Sequence, residues 1–495
     1  MKTRALTIIM ILLLIIMQLG GNSVIAEHEL EERNLVIAMA ISGRDEDAVL
    51  VDAEMSRIAK ERLNVNISTL YIPMASWTQQ ANLMLASGEQ IDIMMSGSIH
   101  GFSTNVGKGQ FLPLNNLLEK YGQDKLSSLN KKVLDCGTVN GKIFGVASLR
   151  DLATAPCILF RKDIIEKHNI DLSTVKTFED LTPVFEAIKQ AEPEMTTLVA
   201  KFTDRSIVEW MTRGLLDELG CVSNHYGTLP IDPKGDYTLT SYYETQTYQD
   251  CVALVREWYN SGYISSDAAT TTDIGYNTVK AGKAVSYFMA YKPGVETQES
   301  RFCGTDMICI QLAEATQSSD QVTGYLTVIP VTTIDAERAM MLLNLFYSNA
   351  ELETLWINGI EGTHYDFTDD TRTVIFSDDN HSKSFASINY MLGNSFLTPV
   401  WKGESIDLWK EMKVFNDTAK QSSTMGFTFN TEPVATEVAV VANVRSEYAR
   451  GVGCGVLDPN IFYPEFIAKL KASGYHAIIE EEQRQLNAWL EANNK

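Results

Sequence analysis

Short apolar runs alternating with segments of helical period organise the first hundred residues. Residues Leu35 to Ala40 form an unbroken apolar run of strand length, the pattern of a strand buried on both faces. A polar stretch from Ser42 to Asp45 follows, and then Met55, Ile58, Ala59 and Leu63 recur at helical spacing. Val65 to Leu70 alternates like a second strand. Ser76, with Gln79 three residues on, has the spacing of a capping box. Trp77, Ala81, Met84 and Leu85 then repeat at helical spacing, and Gly88 stands where a glycine ends a helix. Ile91 to Met95 supplies a third strand, closing on Ser96-Gly97-Ser98. This β-α-β-α-β order predicts an open α/β sheet, with ligand beyond the carboxyl ends of its strands. Ile41–Arg44 and Ser96–His100 are thereby placed on a ligand-facing edge.

A second unit begins near Ile158-Leu159-Phe160. Helical patterns follow at Asp163–Lys167 and Phe178–Gln190. Thr177 and Asp180 suggest a cap there, and Pro183 suggests a restart or kink. Residues 203–262 read as helical around a polar excursion at 222–241. Val285–Met289 and Leu326–Ile329 read as strands, and Asp335 as the N-cap of a helix running to about Tyr347. Residues 360–390 are polar and irregular, and Ile467–Leu490 is helical. No repeat of fixed period and no low-complexity tract interrupts this order. At 495 residues the chain is long enough for two or more domains.

Composition changes the picture in three places. Lys2 and Arg4 precede an apolar stretch from Ala5 to Met17, and small residues close it at Val24-Ile25-Ala26. This is the pattern of a secretory signal peptide, and it is short of the roughly 20 residues that a membrane span needs. An uncleaved N-terminal anchor is the alternative. The formal net charge is −22, which repels phosphate backbones and argues against nucleic-acid binding. The seven cysteines are an odd number scattered along the chain, so they do not form a disulfide framework. Cys303 and Cys309 are close enough in sequence to bridge a loop, but buried free thiols are the simpler reading.

Catalytic motifs are not found. The histidines never fall at i, i+4 spacing, no Cys-x-x-Cys occurs, and no Gly-x-Ser-x-Gly elbow is present. Gly137 to Ile143 resembles a phosphate loop only superficially, because its glycines are too close and Ile143 stands at the hydroxyl position. Asp45-Glu46-Asp47, Asp369-Asp370 and Asp378-Asp379 are most simply solvated loop charges, with a glycosidase acid–base pair as the alternative. Aromatic residues are plentiful, and Trp77, Tyr287, Tyr291, Tyr365 and Trp401 sit beside predicted loops. A flat ring among polar neighbours suits the apolar face of a sugar. Packing in the core or at its rim is the alternative for each.

Four segments carry a resemblance to a known family. They are Leu85 to Ile93, Phe111 to Leu118, Asn140 to Val146, and Leu159 to Asp163 followed by His168-Asn169-Ile170 and Thr177 to Leu181. In this order the chain resembles the extracellular solute-binding proteins, family 1, of bacterial ABC importers. Ala339 to Phe346, Asn358 to Tyr365, Gly426 to Phe429 and the glutamines of the last helix resemble its lipoprotein-like oligosaccharide branch. Two positions depart from the family pattern. Gly20-Gly21-Asn22 stands where a lipobox cysteine is usual, which puts membrane tethering in doubt, and Ala147 replaces a turn proline.

The resemblance implies an α/β, two-lobed periplasmic-binding-protein-like (type 2) fold with hinge crossovers. The expected organisation is a signal peptide at 1–26 and a first lobe at 34–150 with a return segment near 285–330. A second lobe is expected at 155–280 with a return near 335–460, followed by a helical tail at 461–495. Crossovers are expected near Val146–Cys157, Ala281–Met289 and Val328–Thr333. The implied function is the substrate-binding component of an ABC transporter, exported to the extracellular face. It would capture an oligosaccharide by hinge closure and deliver it to ABC permease transmembrane subunits. No enzyme activity, cofactor, metal or nucleic acid is expected, and the chain is expected to be a monomer. The candidate ligand contacts are Trp77 for stacking, Ser96 and Ser98 for hydroxyls, Tyr287 and Tyr291, and Glu361 and Tyr365 of the branch motif. Arg150, at the expected hinge, would pair with a uronate carboxylate, or else form an ordinary interlobe ion pair. An exported carbohydrate-active hydrolase or lyase is the alternative function, and a sensor subunit is a third.

Overall fold

The apolar runs become the central strands of two separate sheets. The computed structural model describes residues 30–41, 47–219, 225–368, 373–377, 385 and 391–495. The expected signal peptide, Ser42–Arg44 of the ligand-facing edge, and the Asp369-Asp370 and Asp378-Asp379 pairs lie outside the described residues. In chain order the strands of the two sheets are β1 (Arg33–Ile41), β2 (Val65–Pro73), β3 (Ile93–Ser96), β4 (Gly145–Ala147), β5 (Ala155–Arg161), β6 (Thr196–Val199), β7 (Ala284–Tyr291), β8 (Met307–Gln311) and β9 (Leu326–Val328).

The first sheet has the order β2-β1-β3-β9-β4. Its first three strands are parallel, with Leu35 opposite Ile67 and Ile37 opposite Ile93, and β9 runs antiparallel to both β3 and β4. Leu35, Ile37 and Met39 are fully buried, as an unbroken apolar run in a sheet covered by helices requires. The second sheet has the order β8-β5-β7-β6, with β5 antiparallel to its two neighbours and β7 parallel to β6. Each sheet has its own core. Met55, Trp77, Ile93, Val328, Leu342, Phe346 and Trp356 share the first. Phe160, Phe185, Trp258, Tyr287, Val441, Phe466 and Ile478 share the second. Full burial of one such side chain contributes about 1.5–3 kcal/mol, so each lobe is held mainly by its own interior.

The cores divide the chain differently from the expected boundaries. Residues 284–311 are strands of the second sheet, not a return to the first lobe. The return is the segment from Val322 to Trp356, which packs in the first core. The helices Pro459–Ala472 and Tyr475–Ala492 are not a separate tail: they pack in the second core together with Ala435–Gly453, which lies in the expected second-lobe return. A short apolar strand fits either sheet, and its pattern does not say which partner it pairs with. The chain passes between the cores from Leu152 to Cys157, from Leu312 to Val322 and from Leu392 to Phe427. The first passage lies inside the expected Val146–Cys157. The intervals Ala281–Met289 and Val328–Thr333 lie within the second and first lobes and are not crossovers.

Local signals fare unevenly. Asp335 caps the helix Ala336–Phe346 by accepting from Arg338 N at 3.0 Å. Ser76 makes no capping bond; its hydroxyl donates instead to Pro73 O at 3.1 Å, while Gly88 ends the helix Trp77–Ser87 at φ 75°. Pro183 does not kink its helix, which begins at Leu181, so the proline sits in the first turn where no N–H is needed. Residues 203–262 are not one helical stretch. They hold the helices Ile207–Met211 and Gln246–Asn260, with the short strands Leu216–Asp217, Gly227–Pro230 and Thr240–Ser241 between them. The tail pattern is broken into two helices at Gly474, φ 86°. The six described cysteines are free, so Cys303 and Cys309 form no bridge. Among the described residues no helix is long and apolar enough to cross a membrane.

The crossovers are bonded to one another. Thr154 and Thr316 exchange backbone hydrogen bonds at 2.9 and 2.8 Å. Thr316 and Gln317 pair in parallel with Lys420 and Gln421. Leu149 donates to Gly393 O at 2.9 Å and accepts from Ser395 N at 3.1 Å. Asn416, on the helix Leu408–Thr418, fastens the first crossover to the third. Its Oδ1 accepts from Leu152 N at 2.8 Å and Ala153 N at 3.2 Å, and its Nδ2 donates to Arg150 O at 2.6 Å. Asn416→Ala strands these backbone groups and is expected to cost about 1–3 kcal/mol in a urea titration. A midpoint equal to wild type would show that the clamp contributes nothing.

Candidate functional site

The carboxyl ends of the parallel strands in both sheets point to one place. β3 ends at Ser96 and turns through Gly97 into the short turn Ser98–His100. A Cβ at Gly97 would lie 2.1 Å from Gly324 O, so only glycine lets this turn approach the chain just before β9. In the second lobe, β6 leads through Lys201 and Phe202 to the helix Ile207–Met211, and β7 ends at Tyr291. The helix starts with a reciprocal cap: Ser206 Oγ accepts from Glu209 N at 3.3 Å, and Glu209 Oε2 accepts from Ser206 N at 2.6 Å. That cap fixes Trp210 and the following Arg213 at the edge of the lobe.

Between these ends lies a cavity of ≈ 130 Å³. The first crossover and the residues leading into it give it Arg150, Asp151 and Thr154, the second crossover gives Asp320 and Gln321, the first lobe gives Tyr325, and the second lobe gives Arg205, Arg213 and Tyr291. Arg150 Nη2 donates to Gln321 O at 2.6 Å, Nη1 donates to Asp151 O, and the guanidinium stands 5.9 Å from the Tyr325 ring. Arg205 and Arg213 lie 5.3 and 5.8 Å from the Trp210 ring. Several buried polar atoms here have no hydrogen-bond partner among the described residues: Arg150 Nε, Arg213 Nε, Thr154 Oγ1 and Trp210 Nε1, and, on the first-lobe turn, Ser98 Oγ and His100 Nε2. Buried polar groups are normally satisfied, and Arg150 Nε, Arg213 Nε and Thr154 Oγ1 leave hydrogen-bonding capacity in the lining of the cavity itself.

The electrostatics are set by burial and by pairing across the lobes. Burial acts to raise the Asp151 carboxyl, but Lys292 at 3.4 Å and Arg150 at 3.6 Å together hold it below the usual range. Behind Arg213, His225 stands between Glu218 at 2.7 Å and Glu209 at 3.0 Å. Burial opposes charge on all three, yet the mutual attraction prevails: His225 is raised and Glu209 is brought down to about 2. His100 is pushed down to about 4 by burial, so it is neutral at neutral pH. Asp320 is raised to about 7, by burial first and then by repulsion from Glu218 and Asp217, against the Ser318 hydroxyl and Arg213.

The structure brings together Arg150 and Tyr291, with Ser98 on the adjoining turn, and separates the other candidates. Trp77 is fully buried in the first core and cannot stack on a ligand; its neighbour Thr78 instead meets His100 Nδ1 at 2.9 Å. Ser96 is buried within the sheet opposite Leu326. Tyr287 is fully buried in the second core, its hydroxyl donating to Glu299 at 2.6 Å. Glu361 and Tyr365 line a different groove of ≈ 700 Å³, with Arg57, Phe367 and Trp409. Trp401 packs on Phe376 at 4.3 Å beside a small cavity of ≈ 90 Å³. Sequence reasoning missed Arg205, Trp210, Arg213, Asp320 and Tyr325. The loop after β6 was open to discovery, because the strand-end rule applied to the first sheet applies equally to the second.

Comparison with known proteins locates this architecture. The family described as "Domain of unknown function (DUF3502)" matches residues 423–491, which span the last helices of the second lobe. Over 451 residues the chain is 25% identical to a carbohydrate ABC transporter substrate-binding protein of Streptococcus pneumoniae serotype 4 (strain ATCC BAA-334 / TIGR4), covering 88% of this chain and 87% of the relative. The crystal structure of the N-glycan transport solute binding protein NgtS from Streptococcus pneumoniae superposes with a TM-score of 0.82 at 23% identity, covering 94% of this chain and all of that one. NgtS in complex with Man1GlcNAc superposes at 0.75, with 21% identity and 93% of this chain covered. The chain has the two-lobe solute-binding fold, and these relatives are binding proteins of transporters.

Asp320 yields a pH dependence. Its carboxyl binds a proton more readily in the folded chain, so between 3.8 and about 7 the folded state carries the extra proton. Stability from this group is therefore full at acid pH and is lost as pH rises through about 7. Asp320→Asn keeps an oxygen for the Ser318 hydroxyl and removes the charge. It is expected to exceed wild type in stability at pH 8 by on the order of 1–4 kcal/mol, with the gap closing toward pH 4. Thermal melts across that range check it, and a pH-independent gap would refute the assignment.

Proposed function

We propose that this protein is the extracytoplasmic substrate-binding component of an ABC importer, which captures an oligosaccharide between its lobes and delivers it unchanged to membrane permease subunits. The observation that carries this reading is the interlobe cavity, lined from both lobes and the crossovers, in which Arg150 Nε, Thr154 Oγ1 and Arg213 Nε are buried without partners among the described residues. Sugar hydroxyls are suitable acceptors, and Tyr291 and Tyr325 offer ring faces to the apolar side of a sugar. Arg150, Tyr291 and Ser98 are the expected ligand contacts from the sequence, and Arg205, Arg213 and Tyr325 join them. The similarity to carbohydrate-binding relatives of transporters points the same way. The leader pattern at 1–26 supports export, and the reading includes no bond-breaking step.

Capture follows from the architecture. The cavity is smaller than the ~300 Å³ at the lower end of small-molecule sites, so a sugar chain enters with the lobes parted. Tyr291 also borders a groove of ≈ 820 Å³ lined by Gln311, Lys410 and Phe415, which gives a longer chain somewhere to extend. Contacts to both walls exist only when the lobes are together, so ligand favours closure by its differential affinity for that state. The secreted protein is expected to gain about 2.7 kcal/mol of stability at a ligand concentration 100 times Kd, read as a thermal shift over a panel of neutral and acidic oligosaccharides. Solution scattering should show compaction with the same ligand, and chromatography should recover the sugar intact. No shift across the panel, or product formation, would end this reading.

A further inference from the structure

The cations of the interlobe cavity go beyond what a neutral sugar requires. Three guanidiniums, Arg150, Arg205 and Arg213, line a space of ≈ 130 Å³ in a chain whose net charge is −22. Only Asp151 and Asp320 oppose them from the lining. Asp151 is already shared between Arg150 and Lys292. Glu218, behind Arg213, offsets part of this charge but is shared with His225. Removing guanidiniums from water is costly, and these are neither fully paired nor released to solvent.

We infer that the captured glycan carries an acidic substituent, and that Arg205 and Arg213, held against Trp210, bind it. This inference rests on the cavity being the sugar site. The indole within 5.3 and 5.8 Å of the two guanidiniums orients both before ligand arrives, which reduces the entropy lost on binding. The buried Nε of Arg213 and of Arg150 remain without acceptors among the described residues. A hydroxyl satisfies a donor but leaves the charge uncompensated, whereas a carboxylate or sulfate oxygen does both. The planar fork of arginine matches such oxyanions with two parallel bonds. A carboxylate and a sulfate ester share this chemistry.

The test uses matched sugars on the full secreted chain, read by calorimetry. Digalacturonate is compared with its carboxyl-reduced form, sialyllactose with lactose, and a sulfated glycosaminoglycan disaccharide with its desulfated form. At least one acid is expected to bind tenfold or more tightly than its neutral partner. Arg213→Gln should bring that ratio close to one, by weakening the acid far more than its neutral partner. Arg205→Gln, outside the helix and without a buried unpartnered Nε, should lower the same ratio and serves if Arg213→Gln fails to fold. A preference confined to the sulfated or the carboxylate pairs supports the inference and identifies the source. Equal or weaker binding of every acid relative to its neutral partner overturns it and leaves sugar capture standing. Binding of none of the six sugars, together with a null result in the wider neutral panel, overturns sugar capture itself.

Discussion

Three strands of backbone crossing between two separate cores are what the rest of the molecule depends on. Each lobe is held by its own buried interior, while the crossovers are held mostly by their bonds to one another. Thr154 pairs with Thr316, Thr316 and Gln317 pair with Lys420 and Gln421, and Leu149 pairs with the chain at Gly393 and Ser395. A net contribution of about 1 kcal/mol per hydrogen bond is small against a core of many buried side chains. The soft coordinate of the structure is therefore rotation about these short pairings. Arg150 belongs to the same backbone, and Asn416 holds its carbonyl, so the position of a cavity cation is set by the hinge.

The two walls of the cavity are built on different principles. The first-lobe side is made of close backbone approach and neutral groups: Gly324 in the lining, with Gly97 against it, and the Ser98 hydroxyl and a His100 kept uncharged by burial on the adjoining turn. The second-lobe wall is a chain of alternating charge. Arg445 donates to the Tyr243 hydroxyl at 2.9 Å and adds to the field on Glu209, Glu209 and Glu218 flank His225, and Glu218 backs Arg213. Each member offsets the desolvation of the next, which is the condition for keeping a buried cation at the end of the row. Such a row is rigid because losing one member leaves its neighbours buried and unpaired.

Legibility in the sequence followed the range of the interaction. Leu35 to Ala40 and Ile91 to Met95 announced buried strands because an apolar run is a local statement about burial. Gly88 and Asp335 announced helix ends for the same reason. The sheet to which a strand belongs is a long-range fact, so Ala284–Tyr291 was assigned to the wrong lobe, while Leu326–Val328 fell within the expected return to the first. Aromatic residues misled most. Trp77 and Tyr287 sit beside loops in sequence, but the helix start and the strand turn their rings inward. Arg150 was singled out because it falls beside the expected crossover, and the structure places it in the lining of the cavity. Arg205 and Arg213 went unseen because nothing local separates them from surface arginines; their place becomes evident only when the end of β6 meets the hinge.

The same geometry couples protonation to the apposition of the lobes. Asp320 stands on the short helix Ser319–Thr323, beside the first lobe, whereas the carboxylates that repel it, Asp217 and Glu218, belong to the second. Part of the rise in its pKa is thus an interlobe effect. Separating the lobes relieves the repulsion and lets the carboxyl ionise more easily, so by linkage the apposed arrangement holds the proton more tightly. Arg213 works in the opposite sense, because its charge favours the ionised carboxyl. An anion seated on Arg213 would cancel that help and leave Asp320 facing one more negative group. The cavity therefore gains cationic character in the apposed state.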